Sequence, residues 1–225
     1  MVTKKKLLHF AENITFDNFI QLSYQEVISG VALKGKWKKN FFKNENSIVL
    51  ELGCGKGEYT VGLAEKYPEN NYIGIDMKGA RMWRGCKTSQ EKNLKNIAFI
   101  RTKIELIKYF FDKNEISEIW LTFPDPQPKK YKVRKRLTSP RFLEIYNNIL
   151  RPEGIIHLKT DNTGLFDYTL EVIKENGHQL LYFTKNLYYS GYNDDKISIK
   201  TFYEKTFLEQ NIPVKYLKFK LKSND

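Results

Sequence analysis

From residue 47 onward, short apolar runs alternate with segments of helical spacing. Ser47 to Leu52 (SIVLEL) is an apolar run that stops at glycines, and Tyr59 to Tyr67 has helical spacing with Pro68 behind it. Asn71 to Met77 (NYIGIDM) predicts a second strand, Ala80 to Lys92 a second helix, Ile97 to Arg101 a third strand and Ile104 to Phe111 an amphipathic helix. Glu118 to Phe123 (EIWLTF) predicts a fourth strand, followed by a proline-rich, basic loop as far as Ser139. Pro140 to Leu150 reads as a helix with proline in its first turn, Gly154 to Lys159 as a fifth strand, and Leu165 to Asn176 as a helix closed by Gly177. Leu180 to Thr184 and Ser198 to Phe207 are two further strand-like runs with no helix between them. The alternation predicts an α/β fold: a mostly parallel seven-stranded sheet, helices on both faces, and an antiparallel hairpin at the C-terminal edge.

Residues 1–40 show no clear period. They hold two basic groups, Lys4-Lys5-Lys6 and the four lysines between Lys34 and Lys39, and read as a basic arm or covering segment ahead of a main domain over 41–225. No internal repeat is evident.

Composition narrows the partners. Among 225 residues, 38 Lys and Arg against 26 Asp and Glu leave a net charge of +12, which favours a polyanion, nucleic acid before membrane. A hydrophobic fraction of 41% supplies a core, so a wholly disordered chain is excluded. No apolar run is long enough for a membrane-spanning helix, and the basic start from Met1 to Phe10 lacks the apolar stretch of a signal peptide. Two cysteines, Cys54 and Cys86, are too few for a disulfide framework and suit a reducing compartment, so a cytoplasmic location is expected.

Two loops carry the candidate chemistry. Glu51-Leu52-Gly53-Cys54-Gly55-Lys56-Gly57 follows the first strand, where glycines let the backbone turn tightly and approach a ligand. The spacing is G-x-G-x-G. A dinucleotide fingerprint would need a glycine where Glu58 stands, and a carboxylate there opposes a pyrophosphate at a helix N-terminus. Glu51 just before the loop suits instead a ligand with cationic groups, such as the sulfonium and ammonium of S-adenosylmethionine. Asp76 ends the second strand 25 residues after Glu51, where a carboxylate accepts the hydroxyls of a ribose. Gly30 to Lys36 mimics the start of a P-loop, but Trp37 stands in place of the magnesium-binding Ser or Thr and no clear strand precedes it.

The second loop is Thr122-Phe123-Pro124-Asp125-Pro126-Gln127-Pro128-Lys129-Lys130. Three prolines in five positions stiffen it and hold Asp125 in place at the end of a strand, where α/β sheets bind ligands. Six of the eight residues from Lys129 to Arg136 are basic, a phosphate-contacting stripe in which Tyr131 offers a stacking face. His9, His157 and His178 lie far apart without metal-ligand spacing, so no metal is expected; His157 reads as a packed or hydrogen-bonded strand residue. Glu118 and Asp112 read as solvated loop charges, and Tyr188, Tyr189 and Tyr192 as pocket or packing residues.

Together, Glu51-Leu-Gly-Cys-Gly-Lys-Gly57, Gly74-Ile-Asp76 with the following Met-Lys-Gly-Ala-Arg-Met-Trp-Arg-Gly85, Phe123-Pro-Asp125-Pro-Gln-Pro-Lys129-Lys130, Leu158-Lys-Thr-Asp161-Asn and Thr201-Phe-Tyr-Glu204 resemble the bacterial tRNA (guanine-N7-)-methyltransferase family over roughly residues 47 to 207. The resemblance implies a Rossmann-like class I methyltransferase fold, S-adenosylmethionine as cofactor with S-adenosylhomocysteine as product, and tRNA as substrate, methylated at guanine 46 of the variable loop. It implies cofactor contacts from Glu51, Gly53, Gly55, Gly57, Asp76, Ile104 and Asp125, with Glu51 near the methionine end. It makes Asp125 the active-site residue and assigns Lys129, Asp161, Thr201, Phe202, Tyr203 and Glu204 to the substrate guanosine and its backbone. The resemblance also implies RNA contacts from Arg81 and Arg84 on the second helix. Two positions depart from the pattern. Lys103-Ile104 stands where many members carry Asp-Ala, leaving the adenine amine to a backbone carbonyl or Glu105, and Gln127 stands where Trp is frequent. The resemblance implies action without a partner subunit, as monomer or homodimer, on neither DNA nor membrane.

Guanine N7 carries an in-plane lone pair and needs no general base, so alignment is the main task. Carboxylates along the N1–H and N2–H₂ edge would hold the base and favour the positive charge it acquires. Two other readings compete. A class I methyltransferase for a small molecule or protein leaves the basic stripe unexplained, and a non-catalytic tRNA-binding module leaves the Glu51, Asp76 and Asp125 set unexplained. A nicotinamide-dependent oxidoreductase is disfavoured by Glu58.

Overall fold

The computed structural model describes residues 4–222; Met1 to Thr3 of the expected arm and the last three residues, 223–225, lie outside the described residues. The chain forms two compact units that divide between Asp112 and Lys113.

In the first unit, β2 (Ser47–Leu52), β3 (Asn70–Asp76) and β4 (Ile97–Arg101) run parallel, and α3 (Glu58–Lys66) and α4 (Gly79–Glu91) connect them. The strands are almost wholly buried, which is why they read as continuous apolar runs rather than alternating ones. Register pairs Leu52 with Ile75 and Asp76 with Arg101, so the loops that follow all three strands leave from one edge.

Residues 4–42 contribute to this unit. Helix α1 (Lys4–Asn13) packs on α4, the two-residue β1 (Phe19–Ile20) pairs in parallel with β4, and α2 (Tyr24–Ser29) starts at a capping box. In that box Glu26 N–H donates to Ser23 Oγ (3.3 Å) and Ser23 N–H to Glu26 Oε2 (2.7 Å). A short π-helix over Trp37–Phe42 then buries the Trp37 indole completely, its N–H donating to the Phe110 carbonyl at 2.8 Å. The expected P-loop mimic is thus a turn leading into a packing element. The segment predicted as an amphipathic helix from Ile104 is a 3₁₀ helix that stops at Tyr109.

The second unit pairs β5 (Ile116–Thr122) in parallel with β6 (Leu150–Thr160). Strand β8 (Lys215–Lys220) runs antiparallel to β6 on one side and to β7 (Gln179–Thr184) on the other. Helix α5 (Pro140–Asn147) precedes β6, and α6 (Thr163–Glu175) follows it. The α6 N-cap is Asn162, whose Oδ1 accepts from Leu165 N–H at 2.8 Å, and Gly177 closes the helix in the left-handed conformation.

The antiparallel pairing near the C-terminus is present, but its partner strand is not the one predicted. Ser198 to Phe207 does not form a strand. It ends a 3₁₀ turn (Asp195–Ser198) and opens α7 (Phe202–Glu209). The reason is local: Thr201 Oγ1 accepts from Glu204 N–H at 3.3 Å and starts a helix in a sequence otherwise rich in strand formers. The strand beside β7 is instead Lys215–Lys220, which the sequence reading passed over. Eight strands therefore lie among the described residues, against the seven expected, with the short β1 as an unforeseen addition.

Candidate active site

The glycine loop after β2 is built from left-handed backbone. Gly53, Gly55 and Gly57 have φ of 83°, 57° and 71°, a region that side chains make costly. Gly53 and Cys54 N–H groups both donate to the Ile75 carbonyl at 2.8 and 3.1 Å, and Gly57 N–H donates back to Cys54 at 2.8 Å. Two of these glycines do different work. A Cβ on Gly57 would meet the Phe99 ring at 2.5 Å, so Gly57 is a packing position. A Cβ on Gly55 would meet nothing within 4 Å, so that backbone faces open space and admits a ligand.

Two carboxylates brace the loop. Glu51 is buried and accepts from the Thr60 N–H at 2.9 Å and from the Thr60 hydroxyl. Asp76 Oδ2 accepts from Gly55 N–H at 3.0 Å, and its Oδ1 accepts from Lys78 N–H at 2.8 Å. Asp76 thus closes on the loop at Gly55, while Glu51 is bonded to the first turn of α3 behind it. Burial, and after it the charges of Glu51 and Asp76, push the Cys54 thiol well above its ordinary range, so it is inert as a nucleophile. Ile104 is half-buried at the first position of the 3₁₀ turn after β4, behind the exposed Lys103.

The turn after Asp76 is covered by α1, a helix that the sequence does not announce within the expected covering segment. Asn13 Nδ2 donates to the Gly79 carbonyl at 2.8 Å, His9 stacks on Trp83 with centroids 3.9 Å apart, and Arg101 donates to the Met77 carbonyl at 3.2 Å beneath the Phe10 ring. No periodicity marked α1, whose Leu7 and Leu8 are exposed while polar Asn13 is buried. Arg81 and Arg84 lie on the exposed face of α4.

In the second unit the Pro-Asp-Pro loop leaves β5 through a hydrogen bond from Phe123 N–H to the Lys159 carbonyl (2.8 Å). Phe123 and Gln127 both adopt positive φ, 49° and 45°. Between them Asp125 is exposed, and its Oδ1 accepts from Gln127 N–H at 3.0 Å, an Asx turn that fixes the carboxylate. Arg136 clamps the same loop, donating to the Pro126 and Gln127 carbonyls at 3.0 and 3.4 Å while its guanidinium sits 4.4 Å from the Tyr168 ring centroid. The last cation of the basic run is thus turned inward onto the loop. Lys129 is exposed and, like Lys132, lies about one side-chain width (5.9 and 6.0 Å) from the ring of Tyr131, which is 76% exposed.

Asp161 follows β6 and is half-buried, its carbonyl accepting from Lys215 Nζ at 3.0 Å. At α7, Thr201 is the N-cap and Phe202 and Tyr203 are exposed. The resemblance places Glu204 against the guanosine; the structure places it in the interior with no exposed surface. Its Oε1 accepts from Lys159 Nζ at 2.7 Å and from the Tyr188 hydroxyl at 2.5 Å.

Glu118 is not a solvated loop charge. Its side chain is 13% exposed on β5, with Oε2 accepting from Lys196 Nζ at 2.7 Å and Oε1 from Trp120 Nε1 at 2.5 Å. Burial opposes its ionisation, yet His157 and Lys196 outweigh burial and hold the carboxyl at about 2. His157 stacks on Trp120 (3.9 Å), with Nδ1 2.8 Å from the Tyr216 hydroxyl and Nε2 3.2 Å from Glu118. Burial keeps this imidazole below its ordinary value. Of the three tyrosines near 190, Tyr188 bonds Glu204, Tyr192 stacks on Tyr182 and Tyr189 is exposed.

Comparison with known proteins sets this site in its class. The model of a family described as putative methyltransferase matches residues 45–217. Among solved structures, the 16S rRNA methyltransferase KamB superposes with a TM-score of 0.62 at 14% identity, covering 82% of this chain and 92% of that one. The fold is that of a class I methyltransferase. The chain is 53% identical over 224 residues to the tRNA (guanine-N(7)-)-methyltransferase of Christiangramia forsetii, covering 99% of this chain and all of that protein. It is 50% identical to the enzyme of the same name from Bacteroides fragilis, covering 97% and 86%. The chain belongs to the tRNA (guanine-N(7)-)-methyltransferase family.

Proposed function

We propose that this protein methylates N7 of guanine 46 in the variable loop of tRNA, using S-adenosylmethionine. The observation that carries the reading is the cradle at Gly55: an open, left-handed backbone position bonded to the acidic end of β3, Asp76, in a loop that follows the buried acid Glu51 of β2. That arrangement fits a cationic nucleoside. Gly53, Gly55 and Gly57 would shape the loop around it, Asp76 would take the ribose hydroxyls, Glu51 would lie toward the amino-acid end, and Ile104 would give the adenine an apolar neighbour. Asp125 is assigned to the methionine end as well as to the base. S-adenosylmethionine supplies, when bound, a methyl group already activated by its sulfonium charge.

The protein's own task is then to hold the guanine. N7 has a free lone pair, so no proton need be removed and positioning dominates. Asp125, pinned by its Asx turn, would accept from the N1–H and N2–H₂ edge and stabilise the cation that the methylated base becomes. Lys129 and Asp161 would contact the nucleotide and its backbone. Phe202 and Tyr203 would offer exposed aromatic faces, with Thr201 and Glu204 fixing the turn that carries them. The basic run from Lys129 to Lys135, with the N-terminal lysines and Arg81 and Arg84, would contact phosphates and offset the few kcal/mol that swinging a base out costs. We assign residues 1–40 to a basic covering segment and 41–225 to catalysis. The enzyme would act in the cytoplasm as a monomer or homodimer without a second kind of subunit. No helix among the described residues is long and apolar enough to cross a membrane.

The test is methyl transfer from labelled S-adenosylmethionine to an unmodified tRNA transcript, followed by aniline cleavage at N7-methylguanine. One cut in the variable loop is expected. Label without that cut would overturn the atom or the position, and no label despite cofactor binding would shift the reading to a small-molecule substrate.

A further inference from the structure

Lys159, one residue before the end of β6, has no exposed surface. Its ammonium is held by Glu204 Oε1 and Oε2 at 2.7 and 2.9 Å and by the Ile197 and Ile199 carbonyls at 3.2 and 3.3 Å. Those partners belong to the segment that leads into Thr201–Glu204. An ammonium has three donors and no acceptor, and here every donor has an oxygen to reach, the arrangement that a buried charge requires. The same residue's backbone carbonyl accepts from Phe123 N–H at 2.8 Å, the bond that opens the Pro-Asp-Pro loop. One residue therefore ties down both loops to which the proposed function assigns the guanine: the Asp125 loop through its main chain and the Phe202–Tyr203 turn through its side chain.

A second, independent bond holds the latter segment. Lys196, two residues before Ser198, reaches back to Glu118 on β5, the strand that ends in the Asp125 loop. The segment is thus fastened to β5 and β6 by a cation on each side, one donated by the segment and one donated to it. Tyr188, on the preceding turn, completes the Glu204 side. Glu204 spends its carboxylate on these internal partners rather than on a surface.

We propose that Lys159 is a positioning residue for tRNA methylation: paired with Glu204, it sets the placement of the Thr201–Tyr203 turn against the Asp125 loop. This rests on the proposed function for its kinetic consequence, but the coupling itself is readable without any substrate. It assigns Glu204 to the anchor, with Phe202 and Tyr203 as the residues that meet the substrate.

The experiment compares Lys159→Met, Glu204→Gln and the double variant by amide hydrogen exchange and by kinetics. In Lys159→Met, exchange is expected to speed up across 197–204 and also across 123–127, while β2, β3 and β4 keep wild-type protection. kcat/KM for tRNA is expected to fall about 10²-fold, the scale of a displaced reacting group, with a smaller rise in the Kd for S-adenosylmethionine, because Asp125 moves with its loop while Glu51 and Asp76 are untouched. The double variant leaves neither charge unpaired and is expected to recover at least about fivefold over Lys159→Met. Unchanged exchange at 123–127 would overturn the coupling even if no tRNA activity were found. A Lys159→Met enzyme with wild-type kcat/KM beside an inactive Glu204→Gln enzyme would overturn the anchor and make Glu204 a direct guanine contact. Parallel loss of protection in β2 to β4 would also overturn the proposal, since Lys159 would then support the fold as a whole.

Discussion

Glu51 and Asp76 in the first unit are held by groups close in sequence, Glu118 and Glu204 in the second by distant charge. Asp76 accepts from Gly55 and Lys78 N–H groups and Glu51 from Thr60, all within 21 residues along the chain. Glu204 pairs with Lys159 45 residues away and Glu118 with Lys196 78 residues away. A backbone cradle depends on φ angles and on free volume, and it is set by a short stretch of sequence. A buried ion pair depends on compensation: when one partner is removed, the other is stranded at a cost of about 3–5 kcal/mol. The first region should therefore fail when volume is added, the second when charge is taken away. If the two regions responded alike to both kinds of change, the distinction would collapse.

The largest effect is expected at Asp125. Asp125→Ala removes both the charge and the acceptor of the Asx turn, and turnover should fall about 10²–10³-fold, the scale of losing one group aimed at developing charge. Asp125→Asn keeps an oxygen for Gln127 N–H and loses only the charge. Single-turnover methylation with both variants separates the roles: equal losses assign the effect to charge, whereas a near-wild-type Asn variant would make Asp125 a turn former. tRNA affinity measured by filter retention should change little in either.

Next comes Gly57→Ala. The new methyl would sit on a left-handed backbone 2.5 Å from Phe99, and a destabilisation of about 2–4 kcal/mol is expected from strain and overpacking together. Gly55→Ala carries the backbone strain alone, with nothing within 4 Å of its Cβ, so about 1–2 kcal/mol is expected. Urea unfolding gives both numbers, and equal losses would show that Phe99 packing does not distinguish the two glycines. Cofactor affinity should rank in the opposite order among folded protein, because Gly55 faces open space where the cofactor is proposed to bind.

Acid should find the second unit first. Glu118 is held at about 2 against an ordinary 4.5, so the stability it contributes is full above about 4.5 and is lost as pH falls toward 2. His157 is a base whose buried form resists protonation. Its unfolded form takes up a proton near the ordinary value of 6.5, so it too costs stability as pH falls below that point. Both signs agree, and ΔG of unfolding should drop by about 1–3 kcal/mol between pH 7 and 4. Glu118→Gln should flatten the part below 4.5. A wild-type slope in that variant would show that the carboxylate is not the group titrating.

The same contrast explains what could be read from the chain. The glycine loop, Asp76 and the Asp125 loop were legible because each is a short string whose chemistry follows from neighbouring residues, and Asp125 is fixed by Gln127, two positions on. The strand–helix alternation was legible because β2 to β6 are apolar runs between turn signals. Glu118, Lys159 and Lys196 were not legible, since nothing near Glu118 in sequence says that a lysine 78 residues later will find it. The helix at Phe202 was partly legible. Thr201 with Glu204 three positions on is a capping pattern, and the strand formers Phe202 and Tyr203 outweighed it in the reading. The capping box at Ser23 and Glu26 was equally present in the letters of the supposed arm.

The smallest effects per residue are expected from the basic run, where the structure splits what composition had lumped together. Lys132, Arg134 and Lys135 lie on one 3₁₀ turn, while Arg136 donates to the Pro126 and Gln127 carbonyls. Charge reversal at the first three should weaken tRNA binding by roughly 1 kcal/mol per contact and lower the slope of log affinity against log salt by roughly one for each phosphate lost. Arg136→Gln should leave that slope unchanged and instead lower turnover several-fold, because it frees the loop that carries Asp125 rather than a phosphate contact. Binding measured across a salt series, beside single-turnover rates, decides between them. A reduced salt slope in Arg136→Gln would put this arginine on the RNA and remove its role as a clamp, and an unchanged slope in the triple reversal would take the stripe away from the interface.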